Sequence, residues 1–238
     1  MALSPFLHPF APPAKDESGF VTIVGGEGAE VWDDVGNRYV DAMASLWYCN
    51  VGHGRAEIAD AIAEQLRTLA AYHCFDPFTN EPAERLTAEI AARAPFEGAR
   101  VFLTSSGSEA VDTALKLARL AQGLAGHPEK HLVVSRDLAY HGVTYGGMSA
   151  QGLPANQAGY GALVPGHLTV PNNDLEAMAT LFAQQGDEIA AVIAEPVQGA
   201  GGVIIPPPGY FARVQAVLKK HGILLIADEV ITGFGRLG

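Results

Sequence analysis

The spacing of apolar positions changes twice along the chain. Residues 21–24, 30–32 and 38–42 form short apolar runs, bounded by turn signals at Gly25-Gly26 and Val35-Gly36-Asn37. This predicts a small antiparallel unit of strands after an irregular, proline-rich start over residues 1–19. From Glu57 the period becomes helical, with Ile58, Ile62, Leu66 and Leu69 on one face. A second helix is predicted after Asn80, with Pro82 tolerated in its first turn and Leu86, Ile90 and Ala94 along one side.

Beyond Pro95, short apolar runs alternate with amphipathic stretches. The runs at 101–103, 132–134, 168–170, 189–194 and 223–227 read as strands, and the last is expected to be buried on both faces. The stretches at 108–122, 174–185 and 209–221 read as helices. This order predicts an α/β fold with a mostly parallel sheet and helices on both faces. Ligands of such sheets bind outside the carboxyl ends of the strands, so chemistry is to be sought just after each apolar run.

Composition narrows the function classes. The formal net charge is −11 and the longest basic cluster is Lys219-Lys220, which argues against a nucleic-acid partner. Two cysteines, Cys49 and Cys74, cannot build a disulfide framework, and the eight histidines show no zinc spacing, so no metal is expected. Residues 1–13 lack a basic segment followed by an apolar run, and no stretch nears the ~18 apolar residues of a membrane span. The expectation is a cytoplasmic protein with no membrane partner.

Four segments at predicted strand ends carry candidate chemistry. In Thr104-Ser105-Ser106-Gly107-Ser108 a strand is expected to turn through small residues into a helix. That arrangement suits either a phosphate on free amides or a plain helix cap at Ser106 or Ser108. In Tyr140-His141-Gly142 the tyrosine either lies flat on a planar heterocycle or packs over a helix end. Glu195 opens Glu195-Pro196-Val197-Gln198-Gly199, a glycine-rich turn that is no dinucleotide fingerprint, and is either a surface carboxylate or a tuned partner in a site. Asp228-Glu229 ends the last apolar run and suits a pyridine nitrogen, a divalent metal or a turn; no other acidic cluster supports the metal.

Together with His8-Pro9-Phe10, Trp32-Asp33, Ser45-Leu46-Trp47 and Asn50-Val51-Gly52-His53-Gly54-Arg55, these segments closely resemble class III aminotransferases. Those are pyridoxal-phosphate enzymes of fold type I, and they include the ω-amino-acid:pyruvate and amine transaminases. The ordered set covers essentially the whole sequence.

The resemblance implies pyridoxal 5'-phosphate as cofactor, with Ser106, Gly107 and Ser108 on its phosphate, Tyr140 on one ring face and Val230 on the other. It implies Asp228 at the ring nitrogen, Glu195 beside Asp228 and the substrate, and His141 as neighbour of Tyr140, positioning the aromatic or the phosphate side. Phe10, Trp47 and Tyr48 would line the substrate pocket; for Trp47 and Tyr48, core packing is the alternative. The implied partners are a small-molecule amine donor and a keto-acid acceptor such as pyruvate, with a homodimer or higher homo-oligomer as the full-length assembly. Residues 1–55 would belong to the small domain and 56–238 to the cofactor-binding large domain.

The same resemblance places the lysine that anchors the cofactor farther along than Gly238, and none of Lys15, Lys116, Lys130, Lys219 or Lys220 matches it. The expectation is therefore an N-terminal half, with a sheet incomplete at its C-terminus and no activity by itself. Two other outcomes are an aminomutase or decarboxylase of the same fold, and a non-catalytic module of the cofactor fold.

Overall fold

Asp33 organises the first turn of the fold. Its Oδ1 accepts the amides of Val35 (3.2 Å) and Asn37 (2.7 Å), and its Oδ2 accepts Asn37 Nδ2 (2.8 Å) and the Tyr39 hydroxyl (2.7 Å). These four bonds close the hairpin between β2 (Glu30–Asp33) and β3 (Arg38–Val40), which pair antiparallel. β1 (Ile23–Glu27) pairs with the other edge of β2. The chain reverses between them at Gly28, where φ is +58°, and Gly25-Gly26 lies within β1, not at the predicted turn. Gly25 is there because the Trp32 indole packs on it, 2.5 Å from where a Cβ would stand.

The computed structural model describes residues 4–237 and divides into two units, residues 1–86 and 87–238. In the first, the antiparallel sheet is followed by an irregular turn, α1 (Ala44–Trp47), and then by α2 (Ala56–Thr68). Ile58, Ile62, Leu66 and Leu69 line one face of α2 as their spacing predicts, and that face is exposed. α3 (Glu81–Arg93) begins with Pro82 in its first turn and leads into the second unit.

The second unit takes in the end of α3 and continues with α4 (Gly107–Leu124). β4 (Leu132–Arg136), α5 (Tyr145–Ser149), α6 (Pro154–Gln157), β5 (His167–Val170), α7 (Leu175–Gln185), β6 (Ile189–Ala194), α8 (Tyr210–His221) and β7 (Leu224–Ala227) follow. The four strands form one parallel sheet in the order β5-β4-β6-β7. Val134 stands beside Leu168 on β5, and Val192 beside Leu225 on β7. β6 is buried along its whole length because both of its faces are covered. On one face, Val134 and Val192 pack with Met178 and Phe182 of α7 and Tyr210, Val214 and Leu218 of α8. On the other, Val133 and Ile193 pack with Val111 and Leu115 of α4.

Two expectations fail. Residues 101–103 form no strand: no described segment runs beside them, and Phe102 and Leu103 stay exposed. An apolar run becomes a strand only where a neighbour takes its backbone bonds. Leu224 and Leu225 of β7 are likewise not buried on both faces; among the described residues β7 has β6 on one side and is the edge of the sheet.

Candidate active site

The carboxyl ends of three adjacent strands bring the predicted acids and the histidine together. The loop after β4 carries Tyr140 and His141, Glu195 directly follows β6, and Asp228 directly follows β7. The amide of Asp228 donates to the carbonyl of Ala194 (2.9 Å), which holds the last two ends in register.

Asp228 and His141 are both buried, and His141 Nδ1 lies 2.7 Å from Asp228 Oδ2. A carboxylate oxygen only accepts, so Nδ1 carries the proton. His141 Nε2 is buried with no partner among the described residues. The other carboxylate oxygen, Oδ1, accepts the amide of Val230 (3.2 Å). His141 therefore stands against the acid of the site, a pairing that residue spacing had not shown.

Glu195 serves two loops at once. Its Oε1 accepts the amide of Tyr140 (3.0 Å) and its Oε2 the amide of Gly199 (3.0 Å). Burial pushes its carboxyl above the usual range, while the two amides pull it partly back. Tyr140 is half-buried, and burial raises its hydroxyl.

The start of α4 faces this group through close contacts. Ser106 caps the helix, its hydroxyl accepting the amide of Glu109 (3.2 Å), and Glu109 Oε2 reaches back to the amide of Ser105 (2.8 Å). The Ser108 hydroxyl accepts the amide of Val143 (2.9 Å), which ties α4 to the segment following His141. A Cβ on Gly107 would stand 3.1 Å from both methyls of Val230, so the bare glycine lets the segment after β7 lie against the helix start. Gly142 has φ +109°, and a Cβ there would fall 2.5 Å from Ser108 Oγ. Ser106 thus caps the helix, and the Gly107–Val230 and Ser108–Val143 contacts put the helix start beside Val230 and the post-β4 loop.

Three supporting residues were not evident from spacing. Arg136, at the end of β4, is buried; it donates to the Glu195 carbonyl and to Asn173 Oδ1 (3.4 Å), and lies over the rings of Tyr210 and Phe211. Burial depresses its guanidinium. Gln198 donates to the Asp137 carbonyl (2.8 Å), joining the turn after β6 to the loop after β4. Gly142 is the third. Its place in Tyr140-His141-Gly142 was the available signal, whereas an arginine closing an apolar strand gives none.

Phe10, Trp47 and Tyr48 belong to the first unit. Phe10 is exposed with φ +56°, Trp47 is half-buried with φ +65°, and Tyr48 is exposed, its hydroxyl 2.7 Å from Ser45 Oγ. Exposure of Tyr48 excludes core packing within that unit.

The five lysines are placed as follows. Lys116, Lys219 and Lys220 are exposed on helices. Lys15 lies over the Phe20 ring at 4.1 Å in the first unit. Lys130 is buried before β4, where its ammonium donates to the carbonyls of Gly186 (2.8 Å), His221 (2.9 Å) and Ile189 (3.4 Å). That is the amino edge of the sheet, roughly 15 Å of strand from the site.

A buried, partnered carboxylate beside a helix start is a donor set suited to a phosphorylated, protonated pyridine. Among the described residues no cluster of His, Cys, Asp and Glu suits a metal ion, and no helix is long and apolar enough to cross a membrane.

The aminotransferase class-III family model matches residues 12–238. The putrescine–pyruvate aminotransferase of Pseudomonas aeruginosa is 40% identical over 241 residues, covering 94% of this chain and 53% of that protein. A transaminase from the marine bacterium Virgibacillus superposes with TM-score 0.92 at 39% identity, covering 98% of this chain and 55% of that one. An amine transaminase from an uncultivated Pseudomonas species, solved in its PLP-bound form, superposes with TM-score 0.88 at 38% identity, covering 99% and 58%. The chain spans about half the length of the relatives it matches.

Proposed function

Since the chain belongs to the class III aminotransferase family, we propose that the whole protein moves an amino group from an amine or ω-amino acid to a keto acid such as pyruvate, with pyridoxal 5'-phosphate as cofactor. The single observation that carries this reading is the buried Asp228–His141 pair at the carboxyl edge of the sheet, beside the start of α4. When bound, the cofactor supplies an electron sink for the carbon that loses its proton.

The residues of this chain do the following in that reading. Amides at the start of α4, within Ser106, Gly107 and Ser108, bind the phosphate. Asp228 keeps a proton on the ring nitrogen, and His141, donating to Oδ2, keeps that carboxylate oriented. Tyr140 and Val230 pack on the two ring faces. Glu195 acts beside Asp228 by holding the Tyr140 and Gly199 amides, which fixes the rim that faces the substrate. Phe10, Trp47 and Tyr48 line the substrate pocket.

The reading extends to the whole protein. Residues 1–55 open the small domain and 56–238 belong to the cofactor-binding domain. The protein works in the cytoplasm as a homodimer or higher homo-oligomer. In this reading none of the five lysines of these 238 residues anchors the cofactor, and the three carbonyls that hold the Lys130 ammonium support that for Lys130.

The test pairs two proteins. The full-length enzyme, given an amine and pyruvate, is expected to form alanine; the 238-residue chain is expected to bind cofactor weakly and turn nothing over. Borohydride treatment of the 238-residue chain with cofactor, followed by peptide mass analysis, is expected to fix cofactor stoichiometrically on no lysine. Stoichiometric fixation with turnover would overturn the placement of the anchor.

A further inference from the structure

A second constellation of reactive side chains belongs wholly to the first unit and has no part in the proposed transamination. Cys49 Sγ lies 3.6 Å from His53 Nδ1, and His53 Nε2 lies 2.7 Å from Asp41 Oδ2. The hydrogen bond from His53, and after it the amide of Ser45 at 2.7 Å, hold the Asp41 carboxyl below its usual range. Asp41 is thus an ionised acceptor, so His53 Nε2 carries the imidazole proton. His53 Nδ1 therefore presents its lone pair to the thiol.

Backbone bonds fix all three members. The amide of Asp41 donates to the Ala29 carbonyl (2.8 Å), and the amide of Cys49 to the Ala44 carbonyl (2.9 Å). His53 is locked to the β1–β2 turn by two bonds, His53 N to Gly28 O (2.9 Å) and Gly28 N to His53 O (3.0 Å). A nucleophile, a base within reach of its proton and a carboxylate orienting that base is the order that activates cysteine. Cys49 is half-buried, so a small reagent still reaches the sulfur.

We propose that Cys49 is an activated thiol and a modification site for soft carbon electrophiles, with His53 as its base and Asp41 as the group that orients the base. With an α-iodoamide, sulfur forms a bond to the methylene carbon and the carbon–iodine bond breaks. Iodide leaves with the bonding pair, and the thiol proton passes to His53 Nδ1. Asp41 balances the imidazolium. No oxidant or reductant takes part.

Cys74 supplies the internal comparison. It is the more exposed thiol, and its sulfur accepts Asn80 Nδ2 at 3.1 Å. Accessibility by itself would make Cys74 the faster of the two, so the order of rates separates activation from exposure. The experiment treats the native protein with limiting iodoacetamide at neutral pH and follows both cysteine peptides by mass spectrometry.

Cys49 is expected to react about 10-fold faster than Cys74 or more, since base assistance at a positioned group is worth ~10²-fold. His53→Gln is expected to bring Cys49 down to the Cys74 rate or below it, and Asp41→Asn to slow it by less. Equal or slower reaction at Cys49 in the native protein overturns the proposal, and this comparison needs no variant to fold. An unchanged Cys49 rate in a His53→Gln protein with native circular dichroism and a native Cys74 rate overturns it as well.

Discussion

His141 Nδ1 donates to Asp228 Oδ2 over 2.7 Å, and both side chains are buried. The two residues come from the ends of β4 and β7, with β6 between them, so the bond spans the carboxyl edge of the sheet. Among the described residues the other bond of the Asp228 carboxylate is the one that Oδ1 accepts from the Val230 amide. In the proposed reaction the charge of Asp228 is what keeps the ring nitrogen protonated. Asp228→Asn in the full-length enzyme is expected to lower kcat for amino transfer by ~10²-fold or more while cofactor remains bound. Activity within a few-fold of the parent would remove Asp228 from the reaction.

His141 acts through Asp228 and is a positioning residue. His141→Phe leaves Asp228 Oδ2 without its donor inside the protein, which is expected to destabilise the fold by about 1–3 kcal/mol. Urea unfolding measures that loss. A purely structural role would move the midpoint only; the positioning role also moves the absorbance of the bound cofactor with pH, and the two readouts together decide.

How much of this was legible from residue order follows from the kind of signal each part leaves. The helices α4, α7 and α8 were visible because burial of one face imposes a period, and β6 because burial of both faces leaves a continuous apolar run. Asp174 and Gly209 marked two helix starts correctly. The strand expected at residues 101–103 and the burial expected of β7 failed for a shared reason. An apolar run reports that a segment prefers burial, while the neighbour that would bury it lies elsewhere in the chain. The turn at Gly28 was missed because Gly25-Gly26 has the stronger local signal; the Trp32 ring, distant in order by several residues, makes those glycines part of a strand. At the site, strand ends located Tyr140, His141, Glu195 and Asp228. Which of them touch depended on the order β4-β6-β7, and order within a sheet leaves no local trace.

Two glycines, Gly107 at the start of α4 and Gly142 in the loop that packs on it, separate stability from cofactor binding. Gly107 has an ordinary φ, and the nearest atoms an added Cβ would meet belong to the Val230 side chain, which is exposed. Gly107→Ala is expected to change stability by less than about 1 kcal/mol while weakening cofactor binding several-fold, because Val230 is displaced from its proposed place on the ring. Gly142→Ala meets Ser108 backbone and hydroxyl at a φ of +109°. It is expected to cost about 2 kcal/mol or more. Thermal melts of both variants with and without cofactor give the comparison, and equal losses in the two apo proteins would contradict it.

Lys130 anchors the amino edge. Its ammonium ties the end of α7 through Gly186, the end of α8 through His221, and β6 through Ile189. Lys130→Met keeps most of the stem but removes every donor, leaving buried carbonyls without partners. The expected loss is about 1–3 kcal/mol in urea unfolding, with no change in the lysine-labelling pattern after cofactor and borohydride. Loss of a labelled peptide in this variant would assign Lys130 a chemical role that its position opposes.

The last prediction concerns acid. His167 opens β5, and burial lowers its ring to about 4 from 6.5, with the Arg119 charge adding to the effect. Its Nδ1 is buried without a partner among the described residues, so the neutral ring is the form that the folded chain accommodates. The unfolded chain then binds the proton first as pH falls below 6.5, and the folded chain follows only near 4. Between those values the unfolded state holds more protons, so stability falls as pH drops through the window and levels off below it. Because the ring is only partly shielded, the loss is expected to be about 1–2 kcal/mol once solvent screening is allowed for. His167→Gln removes the titrating group at similar size. Urea midpoints taken from neutral pH down to pH about 4 should fall more steeply for the parent than for this variant. Parallel slopes would show that His167 does not set the acid sensitivity of the sheet.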